Sequence, residues 1–555
     1  MSLIRENIYL CYIGMEDEGF ITREADESDK RVNRIYLTEK SINIKEEIIN
    51  FSKQWSEIIL EDISETEKEN LRSLLYKISE NASKYKKIDV EKVKRMTKQL
   101  ELKDEKIWKL LLKFSIPAII GMMVNALYNV VDRMYIGRLG ALAMTGIGLN
   151  LPFMTILMAF GMLVGIGSGA IISIRLGQNK KEEAEKILGN AVTLIFIIIS
   201  IVVVLSYIFK TDLLYLFGAS SETIGYADDY ISIILAGALF QGLGFGINNI
   251  IRAEGNPKIA MYTMLIGAII NIVLDPIFIF TFNMGIKGAA LATIISQFVS
   301  MVWVFKHFLS EKSNLKLKIN NLRLDMSIIK NIFAIGMAPF FMQIAASLVT
   351  IISNNALKTH GGDMAIGAMT VINAIAIFFL MPIFGINQGS QPIIGFNYGA
   401  GEYKRVKSAL KLAVAAGTAV ATLGFILTQF YTVGLIKIFN DDPELIKFTT
   451  TGMKIFLAML PLVGFQIVSS NYFQAVGKAP KSMFLSLLRQ VIVLIPMLII
   501  LPKYLGLTGV WLAGPISDFT ASIVTAVFLY NEMKHLNDSH ENKIKSANSM
   551  EIPSI

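Results

Sequence analysis

Residue types that build metal and redox sites are scarce in this chain of 555 residues. The single cysteine, Cys11, excludes an internal disulfide framework and a cysteine-rich metal site. The four histidines fall at predicted helix ends or in the C-terminal tail, where we expect them to be solvated: His307, His360, His535 and His540. No phosphate-binding loop of the G-x-x-x-x-G-K-[ST] type occurs, so direct use of ATP is not expected. The sequence therefore predicts a protein that is not an enzyme and has no cofactor.

Charged residues are scarce beyond residue 100. The first 100 residues contain 38 Asp, Glu, Lys and Arg, and the remaining 455 contain 60. The chain is 53% hydrophobic with a mean hydropathy of +0.51, which favours a membrane protein preceded by a charged soluble segment. Its net charge of +8 does not require a nucleic-acid partner, because cytoplasmic loops of membrane proteins are rich in Lys and Arg.

Twelve apolar stretches are long enough to cross a bilayer, which takes about 20 helical residues. They predict an all-α polytopic protein with spans 1 to 6 at 112–137, 146–174, 187–209, 230–252, 259–282 and 286–308. Spans 7 to 12 are predicted at 328–356, 365–393, 407–430, 451–474, 482–502 and 507–531. The links after even-numbered spans contain 18 Lys and Arg, and the opposite links contain 7. This bias predicts that both termini lie in the cytoplasm. We expect a multi-pass protein of the plasma membrane.

The twelve spans form a duplication with a constant offset of 222 residues. The offset superposes Pro117 on Pro339, Gly140 on Gly362, Gly177 on Gly399 and Asn249 on Asn471. Six spans per repeat make the two repeats parallel, and transporters of this design bind substrate near the interface of their halves. We therefore divide the chain into residues 1–95, an N-lobe at 96–327, a C-lobe at 328–535 and a cytoplasmic tail at 536–555.

Residues 1–95 predict a small α+β fragment. Residues 19–24 and 32–38 alternate like two strands around a charged turn, and Ser64 with Glu67 forms a capping box at the start of an amphipathic helix. Residues 14–90 thus resemble the wing and dimerisation helices of MarR-type transcription regulators. The upstream sequence has no recognition helix, so we expect no specific nucleic-acid partner.

Two acids, Asp132 and Asp275, lie inside predicted spans, where each charge costs about 2.5–3.5 kcal/mol on insertion scales. Four polar residues of span 1 follow the spacing i, i+3, i+4, i+7 and so share one helical face: Asn125, Tyr128, Asn129 and Asp132. In span 5, Asn271 and Asp275 share a face, and Pro276 removes the amide that would bond the Ile272 carbonyl.

These carboxyl, amide, phenol and carbonyl groups suit a proton relay or a small hard cation. The alternative is that the acids tie helices together through hydrogen bonds. If Asp132 and Asp275 lie close together, they resist double ionisation and act as one titrating unit. We expect Arg133 to point elsewhere, because it is about 100° around the helix from Asp132.

Several motifs at roughly 100–535 resemble the multidrug and toxic compound extrusion (MATE) family. They are LYNVVD at 127–132, IGRLG at 136–140, RAEGNP at 252–257, NIVLDP at 271–276 and QPIIGFNYG at 391–399. The resemblance implies secondary active export of amphipathic or cationic compounds by proton- or sodium-coupled antiport. It also implies an ion site in the N-lobe formed by Tyr128, Asp132, Tyr230, Asn271, Asp275 and Thr293. Na⁺ is possible at Asp132 and Asp275. For Tyr230 and Thr293, ordinary helix packing is the alternative.

A second set of polar residues is the candidate substrate cavity. In the C-lobe, four polar residues of span 7 lie on one helical face, at sequence offsets of 0, 4, 7 and 11: Gln343, Ser347, Thr350 and Asn354. In the N-lobe they are Asn125, Asn129, Gln241 and Asn248. Hydrogen bonding between helices is the alternative role. Asn354 is the duplicate of Asp132, so the C-lobe copy has lost its charge.

Three functions remain open at this point. The first is a drug exporter whose partners are drug-like small molecules and the lipid bilayer. The second is a lipid-linked oligosaccharide flippase, which would need several basic residues for pyrophosphate, whereas only Arg133, Arg175 and Arg489 are near the spans. The third is a membrane-tethered transcription regulator. Two further acids are ambiguous: Glu254 is expected to pair with Arg252 or to act as a gate, and Asp518 is expected to face a cavity or pack between helices.

Overall fold

The structure is a computed structural model that describes residues 21–25, 33–38, 64, 105–311, 313–439 and 442–549. The chain divides into two compact units, Met1–Thr97 and Lys98–Ile555. In the first unit, strand Ile21–Ala25 pairs antiparallel with strand Asn33–Leu37, with Arg23 opposite Ile35. The two predicted strands are thus present. Beyond Ser64, the predicted amphipathic helix lies outside the described residues.

The second unit is helical throughout the part that the structure describes. Its N-lobe helices are Ile107–Gly137, Ala141–Gly148, Leu151–Gly177, Lys181–Leu216, Ile224–Ala253, Pro257–Pro276 and Gly285–Leu309, with a π-helix at Ile277–Thr281. A short 3₁₀ helix, Ile319–Leu322, precedes the C-lobe. The C-lobe helices are Met326–Gly399, Tyr403–Phe430, Thr432–Lys437, Pro443–Phe456, Leu460–Ala475, Ala479–Leu487 and Ile495–Ser549, with a π-helix at Leu488–Leu494.

The helices account for the predicted spans. Among the described residues, ten helices are long and apolar enough to cross a membrane, or eleven if Pro443–Phe456 and Leu460–Ala475, bent by 47°, form one span. The last of them, Ala479–Asn537, has 59 residues and is interrupted at Gly506, whose backbone is not helical. Since about 20 residues cross a bilayer, this stretch contains spans 11 and 12. The polytopic all-α fold is confirmed.

The duplication is visible in the backbone as well as in the sequence. Gly140 and Gly362 both have positive φ, at 112° and 65°, between spans 1 and 2 and between spans 7 and 8. Asn179 and its duplicate Gly401 also share positive φ, at 60° and 71°. Residues with side chains rarely adopt this region, so this uncommon backbone conformation at equivalent positions is what two copies of one fold predict.

The two lobes pack through spans 1 and 2 of the N-lobe and spans 7 and 8 of the C-lobe. Small residues permit this approach: a methyl group at Gly167 would meet the backbone of Gly336, and one at Gly389 would meet Ser115. Gly336 and Ser115 are near the starts of spans 7 and 1, whereas Gly167 and Gly389 are in the last parts of spans 2 and 8. The lobes therefore meet on the side of the membrane where span 1 begins.

The segment that joins the lobes is fastened to the N-lobe by buried polar side chains. Glu254, 2% exposed, accepts hydrogen bonds from Ser313 Oγ at 2.7 Å and from the Leu315 amide at 3.2 Å. Its other oxygen contacts His307, which is buried. Arg252 instead donates to Asn249 Oδ1 at 2.8 Å. Two predictions were therefore wrong: Glu254 does not pair with Arg252, and His307 is not solvated.

Further along the same segment, Glu185 accepts from the Lys316 amide at 3.2 Å and from Lys318 Nζ at 2.6 Å. The hydrogen bond to Glu185 raises the pKa of the Lys318 ammonium. Asn190 Oδ1 then accepts from the Asp325 amide at 2.7 Å, one residue before span 7 begins. The linker is thus part of the N-lobe up to Asp325.

Candidate functional site

A cavity of about 330 Å³ lies inside the N-lobe, between spans 1, 2, 4, 5 and 6. Four residues predicted for a substrate cavity line it: Asn125, Asn129, Gln241 and Asn248. The stripe on span 7 does not, and Thr350 and Asn354 are exposed outside it. Gln343 and Ser347 are half-buried and also absent from its wall. This cavity therefore lies within one lobe, whereas the sequence predicted a site near the interface of the halves.

The polar face of span 1 forms one wall of the cavity. Asn125, Tyr128, Asn129 and Asp132 all line it, as the i, i+3, i+4, i+7 spacing predicted. Asn129 Nδ2 donates to Asn125 O at 2.7 Å and to Asn125 Oδ1 at 3.1 Å. The Asp132 carboxyl is thus accessible from the cavity, and its Oδ1 accepts no hydrogen bond from the described residues.

Asp275 lies behind this wall and does not line the cavity. It is fully buried, and Asn271, 1% exposed, donates through Nδ2 to Asp275 Oδ1 at 3.2 Å. The same Asn271 Nδ2 lies 3.4 Å from Thr293 Oγ1 on span 6. Two buried oxygens here, Asp275 Oδ2 and Asn271 Oδ1, accept no hydrogen bond from the part of the chain that the structure describes.

The local sequence explains the position of Asp275. Pro276 cannot donate a backbone hydrogen bond, and the α-helix Pro257–Pro276 ends there and continues as the π-helix Ile277–Thr281. π-helical turns are rare and occur often at functional sites. This irregular turn follows directly after the buried carboxyl group.

All six residues predicted for the ion site come together. The Asp132 and Asp275 carboxyl groups lie close enough to interact, and a shared proton or a bound cation would relieve the repulsion between two carboxylates. Tyr128 and Tyr230 lie beside both acids, and Tyr230 is also hydrogen-bonded to Thr293. The arrangement can exchange a proton or a small cation between the cavity and a fully buried carboxyl group.

Arg133 lines the same cavity, contrary to the prediction that it points elsewhere. That prediction considered only the angle to Asp132. Asn125, Asn129 and Arg133 are four residues apart in sequence and so share one face of the helix. This spacing was the signal that the sequence reasoning missed.

Other polar groups were also missed or misplaced. Asn150, fully buried, lines the cavity and donates to Gly146 O and Ala227 O at 3.0 and 3.1 Å. Asp518 pairs with Arg489, whose Nε is 2.5 Å from Asp518 Oδ1, so it ties spans 11 and 12 together. Apolar walls complete the cavity, and they include Met154, Met158, Met264, Phe240 and Phe245.

Comparison with known proteins finds matches in both lobes of the chain. The family model MatE matches residues 117–277 and 326–500. The multidrug export protein MepA of Staphylococcus saprophyticus subsp. saprophyticus is 29% identical over 428 residues, which are 76% of this chain and 94% of that protein. The multidrug transporter DinF-BH, solved with a bound small-molecule ligand, is 40% identical with a TM-score of 0.73, covering 77% of this chain and 96% of that one. A MOP superfamily transporter from Pyrococcus furiosus is 25% identical with a TM-score of 0.75, covering 79% and 98%.

Proposed function

Because this chain belongs to the MATE family, it is a membrane transporter and not an enzyme, and we propose that it exports amphipathic, often cationic organic compounds by proton- or sodium-coupled antiport. One observation carries the proposal: a cavity that can hold a small molecule has one carboxyl group in its wall and a second directly behind it.

Coupling rests on the pair Asp132 and Asp275. Two carboxylates within hydrogen-bonding range repel unless a proton or a cation lies between them. The donor set also fits a sodium ion, because Asp275 Oδ2, Asp132 Oδ1 and Asn271 Oδ1 are hard oxygen ligands with no hydrogen-bond donor among the described residues. A cationic compound that reaches Asp132 competes with the coupling ion for the same charge. Competition of this kind is what antiport requires.

The substrate class follows from the cavity wall and the relatives. Methionine and phenylalanine side chains adapt to varied apolar shapes, while amides such as Asn129 and Gln241 offer hydrogen bonds. A volume of about 330 Å³ is in the range of sites for small organic molecules. The relatives named multidrug exporters, and the multidrug transporter solved with a bound ligand, support drug-like substrates.

We place the protein in the plasma membrane with both termini in the cytoplasm. The excess of Lys and Arg on the links after even-numbered spans supports this orientation. In that orientation the lobes meet on the cytoplasmic side of the membrane.

The flippase alternative is disfavoured by the positions of the basic residues. Arg489 is paired with Asp518, and Arg175 with Glu183 at 3.2 Å. Of these three arginines, Arg133 alone lines the cavity, which does not form the basic ring that pyrophosphate needs. A transcriptional role has no support in the matched regions, because the MatE model begins at residue 117. We keep the assignment of 1–95 as a MarR-like fragment as a proposal that rests on the strand pair.

The test is dye efflux from proteoliposomes under an imposed pH gradient and then under an imposed sodium gradient. The wild type should export under one of them, and Asp132→Asn with Asp275→Asn should abolish gradient-driven export while the protein still folds and inserts. Export at wild-type rate by the double variant would refute the coupling site, because Asn preserves simple helix–helix hydrogen bonds.

A further inference from the structure

The N-lobe cavity contains charges of both signs. Asp132 supplies a carboxyl group, and Arg133 supplies a guanidinium that lines the same cavity. Arg133 is exposed, and it makes no salt bridge or hydrogen bond with any residue in the described ranges. Its charge is therefore available to a molecule in the cavity.

The position of Arg133 follows from the helix itself. Asn125, Asn129 and Arg133 lie four residues apart, and the hydrogen bond between Asn129 and Asn125 marks the face that they share. The guanidinium lies one turn beyond Asn129, near the end of the helix Ile107–Gly137. Asp132 is about 100° around the helix from it, so both groups line the cavity without a salt bridge between them, although the positive charge of Arg133 still acts on the Asp132 carboxyl group.

A site of this kind distinguishes molecules by their charge pattern. An unpaired arginine at the wall repels a compound whose only charge is positive, and it pairs with a carboxylate through charge-assisted hydrogen bonds. Asp132 at the same time favours a positive group. A molecule that has both a positive group and a carboxylate can pair with both side chains.

Resting on the proposed export function, we propose that Arg133 is a specificity-determining residue that selects zwitterionic organic compounds, with an ammonium or iminium group and a carboxylate, over compounds that are only cationic. The ammonium or iminium group contacts Asp132, and the carboxylate contacts Arg133. These two side chains alone would distinguish zwitterions from cations, without a change in the size of the cavity.

The experiment uses two forms of one dye that differ only in this charge. Rhodamine 6G is a cationic ethyl ester, and its free acid is a zwitterion at neutral pH. Initial rates of gradient-driven efflux and equilibrium binding of both forms are measured with the full chain for the wild type, Arg133→Gln and Arg133→Lys. The matched control is Arg138→Gln, since Arg138 follows the same helix but does not line the cavity.

Arg133→Gln should lower binding and export of the free acid about three- to tenfold, as expected for loss of one partly exposed ion pair, and leave or raise those of the ester. Arg133→Lys should retain most of the preference because it keeps the charge, and Arg138→Gln should retain all of it. An equal change for both dyes, or none, in Arg133→Gln would overturn the inference, and so would the same shift in Arg138→Gln. If the wild type exports neither dye under any gradient, the proposed function itself fails, whereas binding still tests Arg133.

Discussion

Gly177 and Gly399, which occupy the same position in the two repeats, each pack against the helix that contains the other. A methyl group built on Gly177 would overlap the backbone of Phe396, and one built on Gly399 would overlap the backbone of Ile174. The reciprocity follows from the duplication, because a parallel repeat related by a two-fold axis brings equivalent positions together at that axis. The lobes therefore close on this side through backbone contacts that no larger residue permits.

We predict that Gly177→Ala and Gly399→Ala each impair this closure. Overpacking a tight contact costs about 1–3 kcal/mol, which opposes the state in which these helices touch. Dye export should fall severalfold, and distances between labels on spans 2 and 8 should increase. Gly148→Ala is the control, since a methyl group there meets nothing within 4 Å. Equal export by Gly177→Ala and Gly148→Ala would show that closure does not depend on this contact.

Glu254 is predicted to hold the linker on the N-lobe. In Glu254→Ala, the Leu315 amide and His307 lose their acceptor and Ser313 Oγ keeps only its bond to the Leu315 carbonyl, and an unsatisfied buried donor costs about 1–3 kcal/mol. The thermal midpoint in detergent should fall, and trypsin should cleave faster at Lys316 and Lys318.

The control for this prediction is Glu222→Ala, which removes an exposed acid in the link between spans 3 and 4. It should change neither the thermal midpoint nor the cleavage rate. Unaltered cleavage at Lys316 and Lys318 in Glu254→Ala would show that other contacts, such as those of Glu185 and Asn190, suffice to hold the linker.

The N-terminal 95 residues are predicted to be dispensable for transport. The compact units divide at Thr97, and the matched family model begins at residue 117. A chain that begins at Met96 should insert and export dye at the full rate, when rates are normalised to the amount of protein in the membrane. Normal insertion with loss of export would show that this segment participates in transport.

The features of the fold that repeat along the sequence, the membrane spans and the polar helix faces, were predicted well. Span positions follow from hydropathy, and the face shared by Asn125, Tyr128, Asn129 and Asp132 follows from 3.6 residues per turn. Contacts between distant residues were predicted poorly. Glu254 was assigned to its sequence neighbour Arg252, whereas it bonds to Asn256 and to three residues more than 50 positions away, His307, Ser313 and Leu315. Depth was also missed: the pattern grouped Asp132 with Asp275 but did not show that one lines the cavity and the other lies behind it.

Span 7 is predicted to affect substrate preference but not coupling. Asn354 occupies the position of Asp132 in the second repeat and has no titratable group, and it lies exposed outside the N-lobe cavity. The sequence pattern groups Asn354 with the polar stripe of span 7, so Asn354→Ala should change the relative export rates of different dyes, and because the residue does not titrate, the dependence on the ion gradient should stay intact. Asn355→Ala, at an adjacent exposed position, is the control. Loss of gradient dependence in Asn354→Ala with unchanged dye binding would assign a coupling role to the C-lobe.

The two acids are predicted to have separable roles because they lie at different depths. Asp132 lines the cavity, so Asp132→Asn should weaken binding of a cationic dye and also abolish gradient-driven export. Asp275 is fully buried, does not line the cavity, and interacts with Asp132, which does. Asp275→Asn should therefore abolish gradient-driven export and change dye affinity less than Asp132→Asn does. Fluorescence polarisation of a bound dye with purified protein gives the affinities, and proteoliposome efflux gives the coupling. Equal losses of dye affinity in the two single variants would mean that substrate contacts both acids directly, and the relay from cavity to buried carboxyl would be wrong.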